Sequence, residues 1–204
     1  MITQKERMIK HFKFHSKIYD ISRWPFLFNR EDAIEALKLE LGMTVAEIGC
    51  GTGLNFSSIL RRIGNNGILI GLDYSQEMLT KSKKKIEKFK WQNVRLLCED
   101  AENYNLSIKF NAILYSYSIS MVSDWKSSVM SSINHLKEGG RLVILDFYDF
   151  QGWGKVCERG ITWWLNKNHV SVKRNYEEFL SSVFTNLELK IFKLGYNFMA
   201  IGRL

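Results

Sequence analysis

One proline, three cysteines and four histidines are all that the 204-residue chain holds of these types. Glycine is ordinary at fourteen, and charged residues make up 25% against 46% hydrophobic. That balance excludes collagen-like, disordered and disulfide-rich classes. Cys50, Cys98 and Cys157 lie far apart, their count is odd, and no C-x-x-C pair occurs. Neither a disulfide framework nor a zinc site is indicated, and a reducing interior is the simplest reading. No stretch approaches the ~18 consecutive apolar residues of a membrane span. Residues 1–20 are studded with lysine and arginine and carry no long apolar run, so no cleaved signal peptide is evident. The expected location is cytoplasmic, with a peripheral position on the inner face of a membrane left open.

No internal repeat, low-complexity linker or composition break marks a second domain. The expectation is a single domain over 1–204. Within it, residues 1–41 would form a helical lid, 43–147 a ligand-binding core, 148–183 a substrate-side segment and 187–204 a terminal hairpin.

What the chain has in excess is positive charge: 29 Lys and Arg against 21 Asp and Glu, a formal +8. A basic balance suggests an anionic partner, whether nucleic acid, lipid or an acidic substrate. The excess is concentrated. Residues 1–30 hold seven basic and two acidic side chains, and residues 80–95 hold seven and one. The rest of the chain is slightly acidic, which fits an anionic surface outside the ligand cleft better than a phosphate inside it.

Strand and helix signals alternate. Residues 3–19 read as a helix, and 29–40 as another with Asn29 as its cap. MTVAEIG (43–49) is a short apolar strand, then come glycines and a helix closed by Gly64. ILIGLD (68–73) is the second strand, and Ser75 caps a helix to about Phe89. VRLLCED (94–100) and FNAILYSYS (110–118) are the third and fourth, Asp124 starts a helix to Leu136, and 138–147 is the fifth. A βαβ rhythm calls for a parallel sheet with helices on both faces, joined by right-handed crossovers. After Phe147 an aromatic stretch precedes a helix at 175–183, and residues 187–195 and 196–204 read as an antiparallel hairpin turning near Gly195. The predicted fold is α/β: a Rossmann-like, mainly parallel seven-stranded sheet ending in that hairpin.

The most informative segment is Glu47-Ile48-Gly49-Cys50-Gly51-Thr52-Gly53, between a strand and a helix. Glycines there let the backbone turn sharply and approach a ligand with no Cβ in the way. The spacing is G-x-G-x-G, with Leu54 where the third dinucleotide glycine would fall, and no G-K-[ST] follows. Asp73, at the end of the second strand, can accept both hydroxyls of a ribose. Glu99, Asp100, Ala101 and Glu102, after the third strand, lie one strand further along, in reach of an attached base. These features together describe a nucleoside without a phosphate.

AEIGCGTGLNF, IGLDYSQEML, LCEDAENY and HLKEGGRLVILDF resemble, in order and spacing, the motifs of class I S-adenosylmethionine-dependent methyltransferases. The resemblance covers residues 43–147. It implies S-adenosylmethionine as cofactor and no metal. Gly49, Gly51 and Gly53 would line the amino-acid half of the cofactor with Glu47 near its ammonium, Asp73 would hold the ribose, and Asp100 with Ala101 the adenine. Tyr74, Met78 and Ser116 complete the expected cofactor contacts.

The acceptor should sit beyond the carboxyl ends of the central strands, near Tyr115 to Ser118 and Asp146 to Asp149. The [DNS]-P-P-[YF] motif of nucleic-acid amino methyltransferases is missing, so no nucleic-acid partner is expected. The Tyr-Asp pair in IYDISRWPFLFNREDAIEAL resembles the lid of lipid-headgroup and quinone methyltransferases. The later aromatic segment is similar to small bacterial phosphatidylethanolamine and betaine-lipid N-methyltransferases. That resemblance implies N-methylation of a phospholipid amine at an anionic membrane surface. The alternative is a soluble small molecule or quinone-type precursor, with the aromatic segment closing a pocket. Tyr19, Tyr117, Tyr148 and Asp146 are the candidates to orient or deprotonate the acceptor, with His15 and His169 as further bases. Lys10, Lys13 and Lys17 on one face of the first helix, the lysine run at 81–91, and Trp153, Trp163 and Trp164 are candidate membrane contacts.

Overall fold

The computed structural model describes residues 27–167, 170–172 and 174–204. The expected first helix, Tyr19, His15 and His169 lie outside the described residues.

Seven strands form one sheet in the order β3-β2-β1-β4-β5-β7-β6. They are β1 (Thr44–Ile48), β2 (Ile68–Asp73), β3 (Val94–Cys98), β4 (Phe110–Ser116), β5 (Leu136–Phe147), β6 (Asn186–Phe192) and β7 (Asn197–Arg203). The first five pair in parallel; β7 runs antiparallel to both β5 and β6. The alternating rhythm and terminal hairpin read from the sequence are therefore both present. The chain turns from Phe192 to Asn197 through Lys193, Leu194 and Gly195, all at positive φ. The strand order reverses between β1 and β4, and at such a switch point the two crossovers diverge and leave a crevice.

Among the described residues the α-helices are α1 (Arg30–Ala36), α2 (Phe56–Ile63), α3 (Gln76–Phe89), α4 (Trp125–Asn134), α5 (Lys155–Lys167) and α6 (Tyr176–Val183). Period-two alternation along the strands sends side chains to two separate cores. Val45, Leu114, Val143 and Leu145 pack under α1, α2 and Leu165 of α5. Ala46, Ile113, Tyr115 and Ile144 pack against Trp125 and Val129 of α4 and Tyr176 and Leu180 of α6.

Two of the expected caps form. The Ser75 hydroxyl accepts from the Met78 N–H, and the Asp124 carboxylate accepts from the Ser127 N–H. Such caps contribute ~1 kcal/mol each. The third does not. Asn29 adopts a left-handed conformation and makes no side-chain cap; its amide donates to the Asp32 carboxylate instead. The helix it precedes ends at Ala36, earlier than the sequence pattern suggests. The helix α5 was not anticipated at all.

Candidate active site

The glycine loop leaves β1 under backbone control from β2: the Gly49 and Cys50 N–H groups both donate to the Leu72 carbonyl, at 2.7 and 3.0 Å. Gly49, Gly51 and Gly53 all have positive φ. Their reasons differ. A Cβ on Gly49 would lie 2.4 Å from the Ser118 Cβ, and one on Gly53 would lie 2.7 Å from the Phe56 ring. These two permit close packing. A Cβ on Gly51 would meet nothing within 4 Å. It would point into a cleft of about 300 Å³ whose wall Gly51 forms.

The cleft lies over the carboxyl ends of β1, β2 and β4. Of the residues expected to bind cofactor, Glu47, Gly49, Gly51, Asp73, Tyr74, Met78, Asp100, Ala101 and Ser116 line it. Gly53 does not; its role is to seat α2 against the loop. Of the expected catalytic residues that are described, Tyr117, Tyr148 and Asp146, Tyr117 lines the cleft and the other two do not. Tyr148 turns toward Phe198, with ring centroids 5.5 Å apart. Asp146 is fully buried on the opposite side of the sheet, since alternation along β5 puts Leu145 and Phe147 in one core and Asp146 beside the other. Its carboxylate accepts from the Ser120 N–H at 3.0 Å, the Ser120 hydroxyl at 2.7 Å and the Phe147 N–H at 2.7 Å. Arg174 donates to the carbonyls of Ile119, Ser120 and Val122. Asp146 is therefore placed to hold the turn after β4 from behind, and burial raises its carboxyl to about 6 against those hydrogen bonds. Trp163 and Trp164 are exposed and line no part of the cleft, so these two rings do not close it.

Asp73 anchors the loop: its carboxylate accepts from the Gly51 N–H and the Ser75 N–H, both at 2.8 Å. Burial raises it to about 6, opposed by those two N–H groups. Each oxygen keeps acceptor capacity for a hydroxyl. Glu47 is more strongly perturbed. One of its oxygens accepts from the Asn55 amide at 2.7 Å; the other is buried with no hydrogen-bond partner. Burial pushes its carboxyl up to about 8, against the Asn55 hydrogen bond and the Arg30 charge.

An orphaned carboxylate oxygen beside a cradle that a Cβ would fill fits the amino-acid half of S-adenosylmethionine. Glu47 could take its ammonium, Gly51 leaves room for its chain, and Asp73 could take the ribose. The unpaired Ser116 hydroxyl also faces this wall.

Several residues of the site were not anticipated. Arg30, Leu27, Asn55, Met121 and Val122 line the cleft. Behind the loop, the Ser82 hydroxyl donates to the Gly51 carbonyl and the Ser118 hydroxyl to the Ile48 carbonyl, both at 2.7 Å. Asn55 follows the glycines by two positions, a spacing that alone could have flagged it. Arg30 reaches the cleft only through the fold.

Residues 45–140 match a family model described as a methyltransferase domain. Demethylmenaquinone methyltransferase of Geobacillus sp. strain WCH70 is 24% identical over 142 residues, 69% of this chain and 60% of that protein. The enzyme of that name from Listeria monocytogenes serovar 1/2a is 25% identical over 162 residues, covering 76% and 68%. Among solved structures, a SAM dependent methyltransferase from Aquifex aeolicus aligns over 92% of this chain and 97% of its own, with TM-score 0.64 and 18% identity. Phosphoethanolamine N-methyltransferase 2 of Haemonchus contortus, in complex with phosphomonomethylethanolamine and S-adenosylhomocysteine, aligns with TM-score 0.77 at 17% identity, over 94% of this chain and 47% of that one. Residues 45–140 carry a methyltransferase domain, the sheet is the Rossmann-like sheet of the class I S-adenosylmethionine-dependent methyltransferases, and the residues lining the cleft fit S-adenosylmethionine as cofactor.

Proposed function

We propose that the protein transfers the methyl group of S-adenosylmethionine to a small aromatic acceptor of quinone type. The observation that carries this reading is the apolar share of the cleft lining, to which Leu27, Met121, Val122 and the Tyr117 ring contribute. An apolar wall with one ring suits a flat, uncharged acceptor better than an ammonium, which calls for several aromatic faces or an acid. The likeness to proteins named demethylmenaquinone methyltransferase supports the same class.

When bound, held by Glu47, Gly51 and Asp73, the cofactor would supply an electrophilic methyl on its sulfonium sulfur, and the acceptor's proton would pass to solvent. The chain's own part is to orient and to stabilise charge. Arg30 places a cation on the cleft wall, suited to an oxyanion on the acceptor ring, the form whose ring carbon is nucleophilic. Tyr117 donates its hydroxyl proton to the Phe28 carbonyl at 2.9 Å, and burial holds it above the ordinary phenol range. It acts as a fixed ring and not as a base.

N-methylation of a phospholipid amine has less support. The phosphoethanolamine enzyme shares the fold at 17% identity. The exposed Trp163 and Trp164 do not enclose a quinone-type acceptor either, so the choice rests on the lining of the cleft itself.

The test is a competition. The protein is incubated with methyl-labelled cofactor and either a chemically reduced, short-chain demethylnaphthoquinone or phosphatidylethanolamine vesicles. Label entering the quinol at least ~10-fold faster supports the reading; each factor of ten is ~1.4 kcal/mol of discrimination. Label entering the phosphatidylethanolamine preferentially overturns it.

A further inference from the structure

Helix α5 is built the wrong way round for a helix that only covers a core. Its inward stripe is thin: Leu165 is buried, and Ile161 and Thr162 are half-buried. The opposite stripe, at i, i+4, i+7 and i+11, is Val156, Gly160, Trp163 and Lys167, all exposed. Val156 is 86% and Trp163 65% accessible. Lys167 extends along the Trp163 ring, its ammonium 5.3 Å from the centroid. The patch continues onto the β6–β7 turn, where Leu194 is 72% accessible, the Trp153 indole donates to the Lys193 carbonyl, and the Gly152 N–H donates to the Leu194 carbonyl.

We propose that this stripe seats the protein on an anionic lipid surface. Two kinds of side chain alternate there. Val156, Trp163 and Leu194 would gain by leaving water, while Lys155, Arg159 and Lys167 rim them against the single acid of the helix, Glu158. Apolar depth beneath a layer of negative charge is what a lipid headgroup region offers. A basic residue there adds up to ~1 kcal/mol. A second copy of the chain is a poorer occupant, because a two-fold contact would set Arg159 and Lys167 against their own copies. The patch is joined to the cleft wall by one contact: the Lys193 ammonium lies over the Phe28 ring at 2.9 Å, and Leu27, the preceding residue, lines the cleft. The proposal goes beyond the acceptor reading and stands or falls without it, since lipid binding is read with no turnover.

The experiment is cosedimentation of the full chain with phosphatidylcholine vesicles, with and without phosphatidylglycerol, for wild type and three variants. Val156→Asp and Trp163→Asp break the stripe; Lys83→Glu alters the lysine run of α3. Expected are binding only to the anionic vesicles, weakened as salt shortens the Debye length to ~3 Å at 1 M. Val156→Asp and Trp163→Asp should each lower partitioning at least tenfold, with melting temperature and S-adenosylhomocysteine affinity unchanged, and Lys83→Glu should stay within twofold of wild type. The proposal is overturned by any of four outcomes: no binding to anionic vesicles, equal binding to neutral ones, retention of binding by both α5 variants, or a vesicle-free self-association that Trp163→Asp abolishes.

Discussion

The Asn197 amide, at the start of the last strand, donates to the Tyr117 hydroxyl at 2.7 Å. That hydroxyl donates in turn to the Phe28 carbonyl at 2.9 Å. Asn197 also reaches the Asn29 side chain at 3.2 Å. The chain's last strand, the turn after β4 and the segment that brings Leu27 and Arg30 to the cleft are thereby fastened at one point. Tyr117 pays for its place with a left-handed φ of 55°.

Breaking this clamp should loosen the cleft before it unfolds the protein. Asn197→Ala leaves the Tyr117 hydroxyl without its donor and should cost ~1–3 kcal/mol, and Tyr117→Phe removes both hydrogen bonds of that hydroxyl and should cost a similar ~1–3 kcal/mol. In both, KM for the acceptor should rise more than kcat falls. A fall in kcat with KM unchanged would place Tyr117 in the chemical step.

The glycines of the loop should separate by mechanism. Gly49→Ala drives a Cβ into Ser118 and should lower both the melting temperature and cofactor affinity. Gly51→Ala meets open cleft, so the fold should lose only the ~1–2 kcal/mol of a non-glycine left-handed residue, while cofactor affinity falls at least ~10-fold. Thermal melts and calorimetry of the same samples check the pair. Normal affinity in Gly51→Ala would contradict the placement of the cofactor.

Glu47 makes the ligand-free protein sensitive to pH in a defined direction. Its folded value is raised to about 8 from the ordinary 4.5, so between these values the native state binds more protons than the unfolded one. Its contribution to stability is therefore complete below 4.5 and is lost as pH rises through 8. Asp73, raised to about 6, acts in the same sense over the lower part of that window. Glu47→Gln should flatten the decline in melting temperature above pH 6. With Glu47 receiving the cofactor's ammonium, binding near neutral pH should release a proton, seen as a dependence of calorimetric heat on the buffer's ionisation enthalpy. Buffer-independent heats in wild type would contradict that role.

Asp146→Asn distinguishes support from catalysis. A carboxylate accepting three hydrogen bonds behind the turn after β4 predicts a loss of ~2–4 kcal/mol in stability, with residual activity following the folded fraction. A stable variant with activity reduced ~100-fold or more would restore Asp146 to the reaction.

Legibility in the sequence followed locality. The five parallel strands, the Ser75 and Asp124 caps and the glycine loop are written in short-range periodicity and spacing, and each lies where it was expected. Asp73 and Asp100 were legible because a strand end points at the crevice in any sheet of this kind. Asp146 was misplaced by the same rule, because one step of alternation turns a strand-end side chain to the other face. Helix α5 escaped notice because Val156 and Trp163 lie on its outward side and Gly160 interrupts it, which blurs the apolar period. Arg30, Met121 and Asn197 join the site through contacts between segments far apart in sequence, and no local pattern encodes those.

The claim underlying all of this is that the cleft bounded by Glu47, Gly51 and Asp73 holds the cofactor. Calorimetric titration with S-adenosylhomocysteine, for wild type and Asp73→Ala, tests it most directly. The account predicts one site per chain in wild type and affinity weakened at least ~10-fold in the variant, a loss of ~1.4 kcal/mol or more. Absence of binding in folded wild type, or equal affinity in a folded Asp73→Ala, would contradict it.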